Sequence, residues 1–414
     1  MRLLLVVLIA VAAAGLAPQQ PTFKSATSLV EVDIIARDKD GRFVSGLTSD
    51  DFEVLEEGKP QSIQHFYLVT EKANVTVEPR PDMVLPRSPD RTDRRIMVLF
   101  FDSEHLSANA LLRVKQSAMD FVNDQLRAND VAGVYVNGAL VNGHLTNQKQ
   151  ELLDAVRGIE PAFETSETMA RALVDFPRIE SYQQAVLLGT GDRTAIADAT
   201  ARLCGGDNAR LCAAEGGPEF TEDKLQQKAR LYVDQSRRAA AATIRSIGYI
   251  IRNLSGLEGR KTLVMLSDGF YVDDTRSSLP LVAGQAARAG VTIYCIDTRG
   301  TNARAGVAPA VDPAATGPGL SGFGDTSDEG LDVLASETGG ITLRQRDDFG
   351  RALTEVATDT STYYVLAYSP DNSVLDGKYR RITLKTKWAG LDIRARRGYV
   401  ATPLPATKQL RTSK

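Results

Sequence analysis

Two apolar runs that each end at an aspartate are the feature that most constrains the fold. Residues 96–101 are all apolar and Asp102 follows them directly, while residues 263–266 are all apolar and lead through Ser267 to Asp268. Continuous apolar runs of this length are typical of parallel strands that are buried on both faces. Open α/β sheets bind their ligands at the carboxyl ends of such strands. We therefore expect Asp102 and Asp268 to lie at one edge of a parallel sheet.

The pattern around these runs predicts an α/β domain over residues 95–360. Strand-like runs alternate with helical periodicities there, which favours a mostly parallel sheet covered on both faces. Asn137-Gly138 is a two-residue hairpin signal, so we expect one antiparallel edge strand. Residues 161–223 fit the alternation poorly and are interpreted as a helical insertion. Residues 298–324 are rich in Gly, Ala and Pro, which predicts a mobile loop.

The two ends of the chain have the pattern of β structure. Residues 25–70 and 361–402 contain alternating apolar strands without helices between them. Because an isolated three-stranded sheet buries too little apolar surface, we expect the two segments to combine into one small β-sandwich with the α/β domain inserted. Residues 71–94 carry four prolines and many charges, which indicates a linker, and residues 403–414 form a tail.

The first residues predict export. Arg2 precedes an apolar run over residues 3–14 with small residues at its end, so residues 1–17 resemble a secretory signal peptide. The alternative is an uncleaved anchor, although the run is shorter than the roughly 20 residues that span a bilayer. We expect a periplasmic or secreted protein with no transmembrane segment after signal cleavage. Its formal charge of -3 does not favour nucleic acid as a partner.

Export permits disulfides, and two of the three cysteines lie close together in sequence. Cys204 and Cys212 are eight residues apart in a polar stretch, and we expect them to pair. The alternatives are two unpaired thiols or a metal site. The metal alternative is weak because no histidine lies near these cysteines in the sequence.

Further short motifs occur in a fixed order along the chain. They are residues 47–52 (LTSDDF), 259–261 (GRK), 267–270 (SDGF), 294–300 (YCIDTRG), 338–340 (TGG), 364–370 (YVLAYSP) and 396–399 (RRGY). With these motifs the chain resembles the von Willebrand factor type A fold, and in particular the exported von Willebrand factor A-related proteins of the acidobacterial type. The resemblance covers residues 30–399 apart from the insertion and the loop. It implies a Rossmann-like, doubly wound, mostly parallel sheet.

The same resemblance implies a site for a divalent cation. In that fold an Asp-x-Ser-x-Ser motif, a distant Thr and an Asp-Gly pair hold the cation, which binds a carboxylate of the partner. Asp102 matches the first Asp and Asp268 the last, but Glu104 and Leu106 occupy the serine positions. Replacement oxygens could come from Ser103, Glu104 or Ser107. A degenerate adhesion site holding Mg²⁺ or Mn²⁺ and a site with no cofactor both stay open, and the departures favour no cofactor.

The residues favour an exported, non-catalytic module that binds a protein partner through this sheet edge. One alternative is a magnesium-dependent phosphohydrolase of the haloacid dehalogenase plan. Its nucleophile motif would need an Asp and a hydroxyl where Glu104 and Leu106 stand. His105 could act as a base, but no nucleophile can be placed beside it, so we interpret it as a packing or surface residue. The other alternative is an envelope scaffold whose sheet edge binds nothing.

Overall fold

The fold is mixed α/β, with one six-stranded and mostly parallel sheet and two antiparallel four-stranded sheets. The computed structural model describes residues 29–70, 94–160, 169, 171–271, 275, 277–299, 327–344 and 348–403. The predicted signal peptide lies outside these residues. So do nearly all of the predicted linker, mobile loop and C-terminal tail.

The described residues include fourteen strands and nine α-helices with full bounds, besides a helical segment at residues 171–174 and short 3-10 helices at Ser49–Asp51 and Gly206–Asn208. The strands are β1 (Val30–Arg37), β2 (Phe52–Glu56), β3 (Lys59–Gln61), β4 (Ile63–Val69), β5 (Arg95–Phe101), β6 (Val131–Val136), β7 (Ala139–Leu140), β8 (Arg260–Ser267), β9 (Val291–Asp297), β10 (Thr342–Leu343), β11 (Tyr363–Tyr368), β12 (Tyr379–Thr386), β13 (Asp392–Ala395) and β14 (Gly398–Val400). The helices are α1 (Ala108–Asp124), α2 (Lys149–Arg157), α3 (Tyr182–Thr190), α4 (Arg193–Cys204), α5 (Ala209–Ala214), α6 (Pro218–Leu254), α7 (Leu279–Arg288), α8 (Ser327–Thr338) and α9 (Phe349–Ser361).

The six-stranded sheet has the order β10-β9-β8-β5-β6-β7. All neighbouring strands in it are parallel except β6 and β7. Asn137 and Gly138 turn the chain between those two strands with φ angles of 48° and 82°, the left-handed conformation that a tight hairpin requires. The expected antiparallel edge strand is therefore confirmed.

Helices cover both faces of this sheet. Apolar side chains of α1, α2 and α9 pack on one face, and those of α6, α7 and α8 pack on the other. Residues 96–101 and 263–266 are buried throughout, because their side chains alternate between the two covered faces. The strand order reverses beside β5, which pairs with β6 on one side and β8 on the other. Crevices at such a reversal are where open α/β sheets bind ligands.

The two antiparallel sheets combine strands from both ends of the chain. Their orders are β13-β1-β11-β4 and β14-β12-β2-β3, and a shared apolar core lies between them. The turn residues Glu57-Gly58-Lys59 would allow a hairpin from β2 onto residues 63–66, but this pairing does not form. Strand β2 pairs with Lys59–Gln61 instead, and Ile63–Val69 pairs with β11 in the other sheet. Pro60 is tolerated in β3 because this strand lies at a sheet edge.

A buried polar cluster centres on Glu56 in this sandwich. Its Oε2 accepts hydrogen bonds from the hydroxyls of Tyr368 at 2.8 Å and Tyr399 at 3.0 Å, and its Oε1 lies 3.4 Å from Nη1 of Arg380. The carboxylate is thus paired with a charge and fully hydrogen-bonded, which is the condition under which a buried charge is tolerated.

The sandwich adjoins the amino ends of the parallel strands. Arg260 begins β8, and its guanidinium carbon lies 3.6 Å from the centroid of the Tyr363 ring in β11. Its Nη1 is 3.8 Å from Oδ2 of Asp33 in β1. Asp102 and Asp268 follow the carboxyl ends of β5 and β8, so the sandwich lies at the opposite end of the sheet.

Helix α6 links the predicted insertion to the parallel sheet. Its first half packs Leu225, Ala229 and Tyr232 against the insertion helices, and its second half packs Ile247 and Ile251 on the sheet. One continuous helix therefore runs across the expected insertion boundary at residue 223. Cys204 at the end of α4 forms a disulfide with Cys212 in α5. Within the described ranges, no helix is long and apolar enough to cross a membrane.

Candidate functional site

Asp102 is completely buried and every one of its oxygens is hydrogen-bonded. Its backbone N–H donates to the carbonyl of Leu266 at 3.0 Å, which fixes the end of β5 beside β8. Oδ1 accepts from the Thr243 hydroxyl at 2.7 Å. Oδ2 accepts from the Ser267 hydroxyl at 2.8 Å and lies 3.0 Å from Nδ1 of His105. Donors from a turn, a helix and a neighbouring strand thus converge on this carboxylate.

His105 forms a buried ion pair with Asp102. The turn after β5 brings them together, because the N–H groups of His105 and Leu106 both donate to the Asp102 carbonyl. Burial alone lowers the pKa of His105, but the charge and hydrogen bond of Asp102 outweigh it and the pKa is raised. Burial likewise raises the pKa of Asp102, yet His105, Thr243 and Ser267 outweigh that effect and the pKa is lowered. The favoured state is imidazolium beside carboxylate.

The ring of His105 is buried beside Phe270. Its ring centroid lies 5.7 Å from that of Phe270. Among the described residues, Nε2 has no hydrogen-bond partner. The interpretation of His105 as a packing residue is thus incomplete, because its Nδ1 also lies 3.0 Å from Oδ2 of Asp102.

Asp268 lies at the same edge but has different hydrogen-bond partners from Asp102. Its Oδ2 accepts from the backbone N–H of Ser107 at 3.1 Å, and its Oδ1 accepts from the Thr298 hydroxyl. Partial burial raises the pKa of Asp268, the hydrogen bonds from Thr298 and Ser107 oppose this, and the nearby Asp297 adds to it. Asp268 therefore links the start of α1 to the end of β9.

The other residues considered as ligands have different roles. Ser107 accepts from the N–H of Ala110 at 3.3 Å and so caps α1. Leu106 is fully buried, whereas Ser103 and Glu104 are partly exposed on the turn. Within the part of the chain that the structure describes, no group of three or more His, Cys, Asp or Glu side chains could hold a metal ion.

The side chain of Asp297, at the end of β9, accepts hydrogen bonds from the turn that follows it. Its Oδ1 accepts from the backbone N–H and Nε of Arg299 at 3.0 Å each, and its Oδ2 accepts from Nη2 at 2.7 Å. The strand-end aspartates thus have three different sets of partners.

Thr243, Ser267 and Thr298 were missed as site residues in the sequence. Thr243 lies in the buried stripe of α6 between Ala240 and Ile247, and a lone hydroxyl in such a stripe is the signal that could have identified it. Ser267 and Thr298 each adjoin a strand-end aspartate. What they bond could not be inferred from that position alone.

Comparisons with known proteins give only distant similarity. No protein-family model and no curated protein matches the chain. It is similar to an aerotolerance-related membrane protein from Bacteroides fragilis NCTC 9343, with 13% identity, a TM-score of 0.30, and coverage of 64% of this chain and 98% of that one. It is also similar to the conserved hypothetical protein BatB from Bacteroides thetaiotaomicron, with 13% identity, a TM-score of 0.29, and coverage of 65% and 98%. Similarity at this level carries no argument about function.

Proposed function

We propose that this chain is an exported, non-catalytic module that binds a protein partner through the carboxyl edge of its parallel sheet, without a metal ion. The observation that carries the proposal is the closed environment of Asp102, whose two oxygens accept from Thr243, Ser267 and His105. The strand order, with its reversal beside β5 and its antiparallel edge strand, supports a von Willebrand factor A-like fold for this domain.

The side chains around Asp102 are a poor set of ligands for a divalent cation. Mg²⁺ demands near-octahedral oxygen ligands, and Leu106 has no atom to contribute at a position where the related sites have a serine. His105 supplies a positive charge inside the site instead. A cation that bound Asp102 would have to displace this buried charge, and we propose that His105 takes the cation's place in balancing the carboxylate.

The complete burial of Asp102 and its hydrogen bonds also argue against hydrolysis at this residue. A nucleophilic carboxylate must reach the reacting atom of its substrate. Asp102 is 0% exposed, and its oxygens are engaged by three side chains. We therefore favour binding over the phosphohydrolase alternative.

The edge beside this closed site offers a surface for a partner. Leu112, one turn into α1, is 66% exposed, Asn109 is exposed in the first turn of the same helix, and Glu104 is partly exposed on the turn after β5. The neighbouring Arg113 donates from Nη2 to the carbonyl of Thr298 at 2.8 Å, which joins α1 to the end of β9. An exposed apolar side chain with a polar border is a feature of protein interfaces. The sandwich lies at the other end of the sheet and leaves this edge accessible.

Two observations support export. The sequence of residues 1–17 resembles a signal peptide. The Cys204–Cys212 disulfide is of the kind that persists in oxidising compartments such as the periplasm.

Site-specific photo-crosslinking tests the proposed binding edge. A photoreactive residue replaces Leu112 in one version of the chain and Leu375 in a control version, because Leu375 is also exposed but lies in the sandwich. We expect a defined crosslinked protein from position 112 only, in cells that export the chain, and the same product in the presence of a metal chelator. Equal labelling at both positions, or none at either, would contradict the binding edge and favour the scaffold alternative.

A further inference from the structure

The face of strand β1 that points toward the parallel sheet carries charges. Asp33 and Arg37 alternate with Val32, Ile34 and Ala36, and the apolar residues belong to the core of the sandwich. Ile35 lies opposite Arg394 of β13, so Arg394 projects to the same side as Asp33 and Arg37. This charged face lies against the amino end of the parallel sheet, where Arg260 begins β8.

The charges on this face form two linked groups. Arg37 and Arg394 both pair with Asp359 of α9, the latter at 2.7 Å, and Arg260 pairs with Asp33 at 3.8 Å. The side chain of Asp359 is 0% exposed, that of Arg260 is 5% exposed and that of Arg394 is 15% exposed. Three guanidinium groups therefore share a largely buried place with Asp33 and Asp359, and Glu355 adds a further negative charge near Arg37.

Tyr294 connects the two groups. It is completely buried in β9. Burial raises the pKa of Tyr294, Asp359 adds to this, and Arg260 and Arg394 oppose it. The phenol thus lies within electrostatic reach of both ion pairs.

Several buried donors in this cluster have no acceptor. Among the described residues no hydrogen-bond partner exists for the Tyr294 hydroxyl, for Nε of Arg37, for Nε and Nη1 of Arg260, or for Nη1 of Arg394. Buried polar groups in native proteins are nearly always hydrogen-bonded, and an exception calls for a water, an ion or a ligand. These donors come from both the sandwich and the parallel sheet, so one acceptor between the two could satisfy several of them.

We propose that a small oxyanion, of the phosphate or sulfate type, binds between the sandwich and the amino end of the parallel sheet. Its oxygens accept from Arg37, Arg260, Arg394 and the Tyr294 hydroxyl, whose buried N–H and O–H groups have no acceptor among the described residues. Several oxygens on one centre can accept from donors that approach in different directions, and guanidinium groups match such anions through paired N–H bonds. The side chains of Arg37 and Asp33, which are 21% and 35% exposed, border the access from solvent.

This anion site lies at the opposite end of the sheet from the proposed binding edge and does not depend on it. The bound anion joins β1 and β13 of the sandwich to β8 and β9 of the sheet. We therefore expect it to stabilise the arrangement of the two units.

Isothermal titration of the full chain with inorganic phosphate tests the site, with sodium chloride at matched ionic strength as the reference. We expect one phosphate per chain and no corresponding heat from chloride. Tyr294→Phe removes one hydroxyl and keeps the ring, so phosphate should bind about tenfold more weakly. Arg394→Met should abolish binding. Arg245→Met is the control, because Arg245 is exposed on α6 and outside the cluster.

The possible results separate the site from general effects of salt. Phosphate stabilises many proteins by exclusion from their surfaces, and that effect is the same in all variants. If phosphate and chloride give equal heats, or if Arg245→Met loses as much affinity as Arg394→Met, the anion site is wrong and water satisfies the buried donors. If Arg394→Met fails to fold, the affinity of Tyr294→Phe for phosphate decides between the anion site and water.

Discussion

Removal of the Thr243 hydroxyl is the sharpest perturbation of the closed site. Thr243→Val keeps the shape of the side chain and removes the donor that lies 2.7 Å from Oδ1 of Asp102. Both residues are 0% exposed, so no solvent is at hand to replace the lost hydrogen bond. We expect the variant to fold and to be less stable.

The expected loss follows from the charge of the acceptor. Hydrogen bonds to charged groups contribute about 1.5–3 kcal/mol, and a buried carboxylate without its donor lies toward the upper end of that range. Thr221→Val is a matched control on the same helix. Thr221 is also 0% exposed, but among the described residues its hydroxyl donates to Sγ of Cys212, at 3.5 Å. Loss of that weak, uncharged contact should cost less than about 1 kcal/mol.

Equilibrium urea unfolding of the two variants measures this difference. The free energy of unfolding is taken from the linear dependence on urea, with the slope compared between variants to exclude a change in the unfolded state. If Thr243→Val costs no more than Thr221→Val, Asp102 is not a buried charge held by Thr243, and the closed site is wrong.

Three further predictions concern the rest of the chain. Because the pKa of His105 is raised, its stabilising contribution should be fully present below about pH 6.5 and be lost as pH rises through the higher folded value. The stability difference between the parent chain and His105→Gln in urea unfolding should therefore shrink as pH rises above about 6.5. A constant difference would contradict the ion pair. Glu56→Gln should lower the free energy of unfolding by about 3 kcal/mol, as measured in urea. The substitution leaves the buried guanidinium of Arg380 without its counter-charge. The exposed ion pair between Glu53 and Lys385 serves as the control. Glu53→Gln should cost less than about 1 kcal/mol, and equal losses in the Glu56 and Glu53 variants would refute the argument. Reduction of the Cys204–Cys212 disulfide should destabilise α4 and α5 by about 2–3 kcal/mol, as expected for a short closed loop, and should lower their hydrogen-exchange protection; unchanged protection would show that packing alone holds them.

The parallel sheet could be predicted because its signals are local. The apolar runs over residues 96–101 and 263–266 identify strands buried on both faces, and Asn137-Gly138 identifies the edge hairpin. The placement of Asp102 and Asp268 at one edge follows from those strands alone. Nothing more distant in sequence is needed for it.

The division of strands between the two antiparallel sheets could not be predicted in the same way. Alternation indicates which side chains of residues 63–66 face a core, but both sheets border the same core. The chain changes sheet at Ser62, between β3 and β4, and only the pairing of β4 with β11, about 300 residues later, decides this.

The contacts of Asp102 could not be predicted from the sequence for a similar reason. Thr243 reaches Asp102 across 141 residues, and its position depends on how α6 lies on the sheet. His105 is close to Asp102 in the sequence. The strength of their ion pair depends on the burial of His105, which in turn depends on Phe270 and on the residues that cover the turn.

Calorimetric titration of the chain with Mg²⁺ and Mn²⁺ tests the central claim most directly. If His105 balances the Asp102 carboxylate, neither cation should give heat beyond its dilution. Addition of a chelator should then leave the stability of the chain unchanged. Binding heat in the parent chain that disappears in Asp268→Ala would contradict the claim and identify a metal-dependent adhesion site.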